Sequence, residues 1–309
     1  MSEKKRLLVT GASGFLGWNV CRIARSDYFV IGVYNARTIA LAGIQPEKCD
    51  ITDFRALQEL FLRARPEAVI HTAAESHPEI CQEQPDSTKK INVKASLAIA
   101  GMCSDLQIPC AFTSSDLVFD GTSPPYDENR APSPISVYGE QKVAAEAGMR
   151  ERHDKAVICR MPLMYGDAPP QATSFIQPLI ASILAGKEAG LFSDAFRTPV
   201  SGESAARGLL LALSHAPDIL HLGGRERISR YDFGIKLART LGRPSTWLTA
   251  ILQKDVISSA PRPLDVSLDS SRAMALGYNP LPIDEELAML ECMKDGAQTP
   301  GYHGKNQQR

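Results

Sequence analysis

Val9-Thr10-Gly11-Ala12-Ser13-Gly14-Phe15-Leu16-Gly17 decides the fold, because it joins a short apolar run at residues 7–10 to the start of a helical pattern. Three glycines between a strand and a helix suit a dinucleotide-binding turn better than a plain connection. Gly11 permits the tight turn, Gly14 lets a pyrophosphate approach the backbone at the positive end of the helix, and Gly17 lets helix and strand pack closely. Ser13, Phe15 and Leu16 belong to the same turn and are candidate cofactor contacts with the glycines.

Outward from this turn, the first half of the chain alternates β-branched runs with longer helical patterns, the signature of βαβ units and a parallel sheet. Residues 7–10, 29–34, 68–72, 110–113 and 156–160 read as strands. Helical patterns cover 14–26, 53–65, 87–106 and 136–153. After Gly166 the rhythm changes: 175–185 and 230–241 read as helices, 218–223 as one more strand, and a last helix is expected near 284–294. The expected class is α/β, a Rossmann-like doubly wound parallel sheet with a smaller C-terminal α/β substrate lobe. Residues 1–166, rejoined by about 195–225, are expected to form the dinucleotide-binding domain. Residues 167–194 and 226–295 would form the substrate lobe, and 296–309 a flexible tail.

Composition narrows the partners. With 34 Lys+Arg against 35 Asp+Glu, the 309-residue chain has a net charge of -1 and no global basic field for nucleic acid. No apolar run is long enough to span a membrane and the start carries no signal-peptide pattern, so a cytoplasmic protein is expected. Seven cysteines without a Cys-x-x-Cys pair suggest reduced thiols rather than a disulfide framework. His71, His77 and Cys81 lack a fourth ligand at suitable spacing, so no metal site is expected.

Tyr138-Gly139-Glu140-Gln141-Lys142 sets a phenol and an ammonium one turn apart on one helix face. A phenol ordinarily loses its proton near ~10, and a fixed positive charge nearby favours the phenolate. Lys142 is therefore expected to lower the Tyr138 pKa and make the phenol a general acid or base.

With its Gly-x-x-Gly-x-x-Gly spacing, the chain resembles the short-chain dehydrogenase/reductase superfamily in its extended form. The resemblance implies that Asp50 and Ile51, in Asp50-Ile51-Thr52-Asp53, meet the adenine, and that Ala73 and Ala74 pass under the cofactor. It also implies a catalytic set of Ser115, Tyr138 and Lys142, in which Tyr138 and Lys142 also touch the cofactor and Asn92 holds a water near the lysine. Ser115 is chosen over Ser114 by resemblance alone. Cofactor choice is read at Val33-Tyr34-Asn35-Ala36-Arg37, where a carboxylate would favour a free ribose 2′-OH. None is present and Arg37 is close, so Asn35 and Arg37 are expected to meet the cofactor, with NADP(H) preferred over NAD(H).

Ser115-Asp116-Leu117-Val118-Phe119-Asp120-Gly121, Pro125-Tyr126-Asp127-Glu128 and the later Pro261-Arg262-Pro263-Leu264-Asp265 most resemble the dTDP-4-dehydrorhamnose reductase family, over about residues 5–276. That implies an NAD(P)-dependent oxidoreductase acting on the 4-keto group of a nucleotide-sugar, with Tyr138 as proton donor. Asp116 admits two readings, a hydrogen bond to a sugar hydroxyl or a cap on the next turn. Arg160, Arg197 and Arg262 suit diphosphate contacts or interdomain ion pairs, with Arg262 preferred for the ligand and Asp116, Arg197 and Arg262 taken as the substrate set. A carbohydrate 4,6-dehydratase would carry Glu at position 117, so dehydration is disfavoured. Two alternatives stand: a non-catalytic NADP-binding regulatory subunit of a partner enzyme, like the methionine adenosyltransferase β subunit, whose motif is close to residues 114–122, and a sugar-nucleotide epimerase. A homodimer is possible through the helices at 87–106 and 136–153.

Overall fold

The structure, a computed structural model, describes residues 4–214 and 218–290. Seven parallel strands form the central sheet: β1 (Arg6–Thr10), β2 (Phe29–Tyr34), β3 (Gln45–Lys48), β4 (Ala68–His71), β5 (Cys110–Ser115), β6 (Ala156–Met161) and Ile219–His221. Their spatial order is Ile219–His221, β6, β5, β4, β1, β2, β3, so the order reverses beside β1. A doubly wound sheet binds ligands at the carboxyl edge of such a reversal.

Alternation along β1 explains the two-sided core. Leu7 and Val9 point to one face, where they join Leu16, Val20 and Cys21 of α1 (Phe15–Ala24). Leu8 points to the other, where it meets Leu57 and Leu60 of α2 (Phe54–Ala64). With both faces covered, the strand reads as a continuous apolar run rather than an alternating one. Edge strand β3 has no such signature: its sequence is Gln-Pro-Glu-Lys, and Pro46 is tolerated because an edge strand need not donate on both sides. For that reason sequence periodicity does not delimit it.

Two further elements depart from expectation. The segment expected as one helix over 87–106 is α4 (Pro85–Lys89), which follows α3 (Pro78–Glu83), then a π-helical turn at Lys90–Ala95, then α5 (Ser96–Asp105). After it, α6 (Val137–Arg152) matches its pattern closely, capped by Ser136, whose side chain accepts from Gly139 N. The second departure is a helix that sequence reading passed over.

Beyond Gly166 the chain builds a separate core from Ile176, Leu179 and Ile183 of α7 (Ile176–Leu184), with Phe233 and Leu237 and with Ile283 and Leu287. It then returns to the sheet through α8 (Gly202–Ser214), where Ala205, Ala206 and Leu209 pack with the α1 side of the core. Next, α9 (Arg230–Thr240) supplies Phe233 and Leu237. The last described helix, Ile283–Met289, stops short of the expected 294, and the rest of that expectation, like the 296–309 tail, lies outside the described residues.

Glu286 ties that helix to Tyr165 and to the start of α8. Its carboxylate accepts from Tyr165 Oη (2.6 Å), Ser201 N (3.0 Å), Ser201 Oγ (2.9 Å) and Ser204 Oγ. An anion at the start of α8 also meets the positive end of a helix dipole. Replacing it would leave several buried donors unsatisfied. We predict that Glu286→Ala lowers unfolding free energy by about 3 kcal/mol, measured by urea denaturation; a change within about 0.5 kcal/mol would reject this anchoring role.

Candidate active site

At the carboxyl edge of the sheet lies a cavity of about 800 Å³. The turn after β1 contributes Gly11, Ser13, Gly14, Phe15, Leu16 and Gly17 to its wall. Gly11 sits at φ 68°, and a Cβ there would fall 2.8 Å from the Ala73 backbone. Only glycine fits. Gly14 is the N-cap of α1 and brings no side chain to satisfy the first N–H groups, and no acidic residue occupies the first helical turn. The positive helix end is thus left for an outside anion.

Asn35 and Arg37 after β2, Asp50 and Ile51 after β3, and Ala73 and Ala74 after β4 line the same cavity. Asp50 Oδ1 accepts from Thr52 N (2.9 Å) and Thr52 Oγ1 (2.7 Å), while Asp53 caps α2 through Ala56 N (3.1 Å). This acidic turn therefore divides its labour, with Asp50 at the wall and Asp53 on the helix.

Tyr138 and Lys142 enter from α6 and also line the cavity. Between them Gly139 allows the helix to approach β5's exit, since a Cβ there would fall 2.3 Å from the Leu117 carbonyl. Lys142 Nζ donates to Thr113 O (2.9 Å) and lies 4.8 Å from the Phe112 ring centroid. Burial pushes this ammonium down to about 8, with the Glu146 carboxylate pulling the other way. Tyr138 departs from expectation. Burial, then the Asp116 carboxylate, hold its phenol well above the ordinary value, against a hydrogen bond with Ser115 that lowers it. Desolvation outweighs the depression expected from Lys142, and a phenol that keeps its proton is in the state a proton donor needs.

Geometry separates the two serines that the sequence left to resemblance. Ser114 Oγ is spent on Glu146, which also receives Arg160 Nε (3.0 Å) and Nη2 (2.8 Å). Arg160 is therefore a buried ion-pair partner and no phosphate contact. Ser115 Oγ faces Tyr138, accepts from Leu117 N (3.1 Å) and donates to Asp116 Oδ1 (3.1 Å). Ser115 thus caps the next turn, which frees Asp116 from that role.

Asn92, in the π-helical turn, gives its side-chain amide to protein partners. Its Oδ1 accepts from Glu75 N (2.9 Å), and its Nδ2 donates to Gln141 Oε1 (2.8 Å) and Glu75 O (3.1 Å). It holds the loop after β4 against α6. Gln141, which sequence reading passed over, completes the tie through Thr88 Oγ1 (2.9 Å) and Pro85 O (3.1 Å). Nothing in a polar residue beside Lys142 advertises this.

Asp116, Arg197 and Arg262 gather apart from the residues that line the cavity. Arg197 Nε lies 3.4 Å from Asp116 Oδ2, an oxygen that is buried without a hydrogen-bond donor. Burial raises the Asp116 pKa, against the pull of Arg197, Ser115 and Arg230. Arg262 Nη2 donates to Glu79 Oε1 (3.2 Å), and its Nη1 is buried without an acceptor. Arg230, also passed over, is pushed down to about 10 by burial and by Arg197, and it faces Arg262 as well. Three guanidiniums and one carboxylate converge there. His71 is buried elsewhere, between Thr10 Oγ1 (2.6 Å) and Ser96 Oγ (2.9 Å), and burial holds it down at about 3. His77 pairs with Glu75 (2.7 Å), so the two histidines share no ligand; among the described residues no group of three or more potential metal ligands forms. No helix among them is long and apolar enough to cross a membrane.

Comparison with known proteins is consistent with this layout. A family model described as the RmlD substrate binding domain matches residues 5–293. The chain is 30% identical over 281 residues to methionine adenosyltransferase 2 subunit beta of Xenopus laevis, covering 88% of this chain and 83% of that protein. It is equally 30% identical over 290 residues to the probable low-salt glycan biosynthesis reductase Agl14 of Haloferax volcanii, covering 92% and 96%. Its fold matches the crystal structure of dTDP-4-dehydrorhamnose reductase from Bacillus anthracis in complex with NADP, with a TM-score of 0.81 and 22% identity over 92% of this chain and 97% of that one.

The depressed Lys142 has a thermodynamic signature. Between pH 8 and about 10 the unfolded chain binds this proton more than the folded one, so the Lys142 contribution to stability rises with pH. We predict that the unfolding free energy of wild type relative to Lys142→Met increases across that window in urea titrations. A pH-independent difference would count against the assignment.

Proposed function

This chain belongs to the RmlD substrate binding domain family, among the extended short-chain dehydrogenase/reductases, and on that footing we propose that it reduces the keto group of a nucleotide-sugar with NADP(H). The reading is carried by one observation: Tyr138 and Lys142 line the same cavity as the glycine turn and the open end of α1. The residues that suit a dinucleotide and those that suit proton delivery share one space.

A bound nicotinamide dinucleotide supplies the hydride. Gly11, Gly14 and the first N–H groups of α1 suit its pyrophosphate, Asp50 and Ile51 its adenine end, and Ala73 and Ala74 its middle. Arg37, with no carboxylate at the end of β2, favours a 2′-phosphate over a free 2′-OH. Tyr138 holds a proton for the carbonyl oxygen on which negative charge develops, and Ser115, by turning its single hydroxyl proton away from Asp116, offers that oxygen a second hydrogen bond. Lys142 keeps positive charge beneath both.

Two buried atoms favour a substrate that is both hydroxylated and anionic. Asp116 Oδ2 lacks a donor and Arg262 Nη1 lacks an acceptor, and each sits in the cluster with Arg230. A sugar hydroxyl satisfies the first and a phosphate oxygen the second. The 4-keto sugar nucleotides meet both demands.

A second reading, an NADP-binding regulatory subunit of a partner enzyme, is favoured by the likeness to the methionine adenosyltransferase subunit. It predicts the same cofactor site without turnover. NADPH oxidation with a panel of 4-keto sugar nucleotides, run beside affinity capture of a partner enzyme, separates the two. We predict turnover that Tyr138→Phe reduces by at least ~10²-fold while cofactor binding persists. Absence of turnover across the panel, together with stoichiometric capture of a partner, would replace the reductase reading with the regulatory one.

A further inference from the structure

Arg37 does not hang free at the end of β2. Its Nη1 donates to the main-chain carbonyl of Gln171 (2.7 Å), and the Gln171 side chain returns the tie, Nε2 donating to Thr38 O (3.1 Å). This reciprocal clasp joins residues 134 positions apart in sequence. The segment carrying Gln171 is fastened at both ends: Asn19 Nδ2 donates to Asp167 O (3.1 Å), and Gln177 binds Gly166 O (2.6 Å) while accepting from Ser174 N (2.7 Å). Ala172, Thr173 and Ser174 line the cavity together with Asn35 and Arg37. Residues 166–174 thus form a strap across the nucleotide end of the cavity.

We propose that Gln171 is a positioning residue for Arg37, through which the strap sets the chain's selectivity for a nucleotide carrying an anion on its adenosine ribose. The proposal rests on the NADP(H) reading above and extends it from the guanidinium to what aims it. A carbonyl takes one of the five guanidinium donors and cancels none of its charge. The remaining donors stay available to a 2′-phosphate, whose oxygens match the planar fork. An unrestrained arginine would lose rotamer freedom when the anion arrives, whereas one already clasped has lost part of it in advance, and that part no longer weakens binding. Thr38 follows Arg37 directly, so the side-chain bond of Gln171 fixes the backbone from which the guanidinium reaches. A nucleotide without the 2′-phosphate uses neither the guanidinium nor the clasp.

Calorimetric affinities of the full chain for 2′,5′-ADP and 5′-ADP test this, with melting temperature recorded for each variant. Wild type is expected to bind 2′,5′-ADP more tightly, and Arg37→Ala to bring the two probes level. Gln171→Ala keeps the carbonyl that Arg37 binds and removes the side-chain bond to Thr38, so it is expected to weaken 2′,5′-ADP by ~3–10-fold, the value of that one hydrogen bond, and to leave 5′-ADP unchanged. A variant that weakens both probes equally overturns the proposal, because a general loosening of the cavity would do that. So does a Gln171→Ala chain that discriminates as well as wild type, and in that case the NADP(H) reading survives. A wild type that fails to distinguish the probes removes the NADP(H) reading and the proposal with it.

Discussion

The polar seam between α6 and the ends of β5 and β6 is the constraint from which the rest of the site follows. Within two helical turns, Lys142 donates to the Thr113 carbonyl and Glu146 receives Ser114 and two nitrogens of Arg160. Arg160 continues to His221 Nε2 (3.3 Å) on the last strand, and His221 Nδ1 lies 3.0 Å from Tyr126 O. Such buried pairs add little net stability, because desolvation consumes most of the Coulomb gain. Their geometric demand is severe, however. A helix held by Lys142 and Glu146 can have only one rotational phase, and that phase puts Tyr138 at the cavity.

The seam also sets the balance of charge around Tyr138. Burial raises Tyr138 and lowers Lys142, while Asp116 is raised by burial against the pull of Arg197. Desolvation drives all three toward neutrality, and the nearby charges partly oppose it. Glu146 helps Lys142 keep its proton, and the hydrogen bond between Tyr138 and Ser115 is what tempers Tyr138. The arrangement suits a site that must hold a proton until a carbonyl oxygen needs it.

Arg197 links this centre to the chain around residue 263: it stands beside Asp116 and donates to the carbonyls of Phe196 (2.6 Å) and Pro263 (3.3 Å). Arg262 joins residues 258–263 to α3 through Glu79, which Ser258 also reaches (3.2 Å). Arg197 and Arg262 therefore tie the chain beyond Gly166 to the exit of β5 and to α3.

By itself the sequence determined the βαβ rhythm, the glycine turn and the spacing of Tyr138 and Lys142, because strand alternation, helix periodicity and glycine's lack of a Cβ act between near neighbours in the chain. It placed Gly11 to Gly17, Asn35, Arg37, Asp50 and Ala73 on what proved to be one cavity wall. Periodicity did not delimit edge strand β3, because an edge needs no apolar run, and helix α8 stayed hidden because an alanine- and leucine-rich stretch does not announce what it packs against. Tertiary structure alone decided that Ser114 is consumed by Glu146 while Ser115 faces Tyr138, that Arg160 is a core ion pair, and that Asn92 serves Gln141 and Glu75. It also decided the direction of the Tyr138 shift. Each of these turns on burial or on a partner dozens of residues away, and both are properties of the folded chain: desolvation has no magnitude, and a hydrogen bond no acceptor, until the surrounding elements have packed.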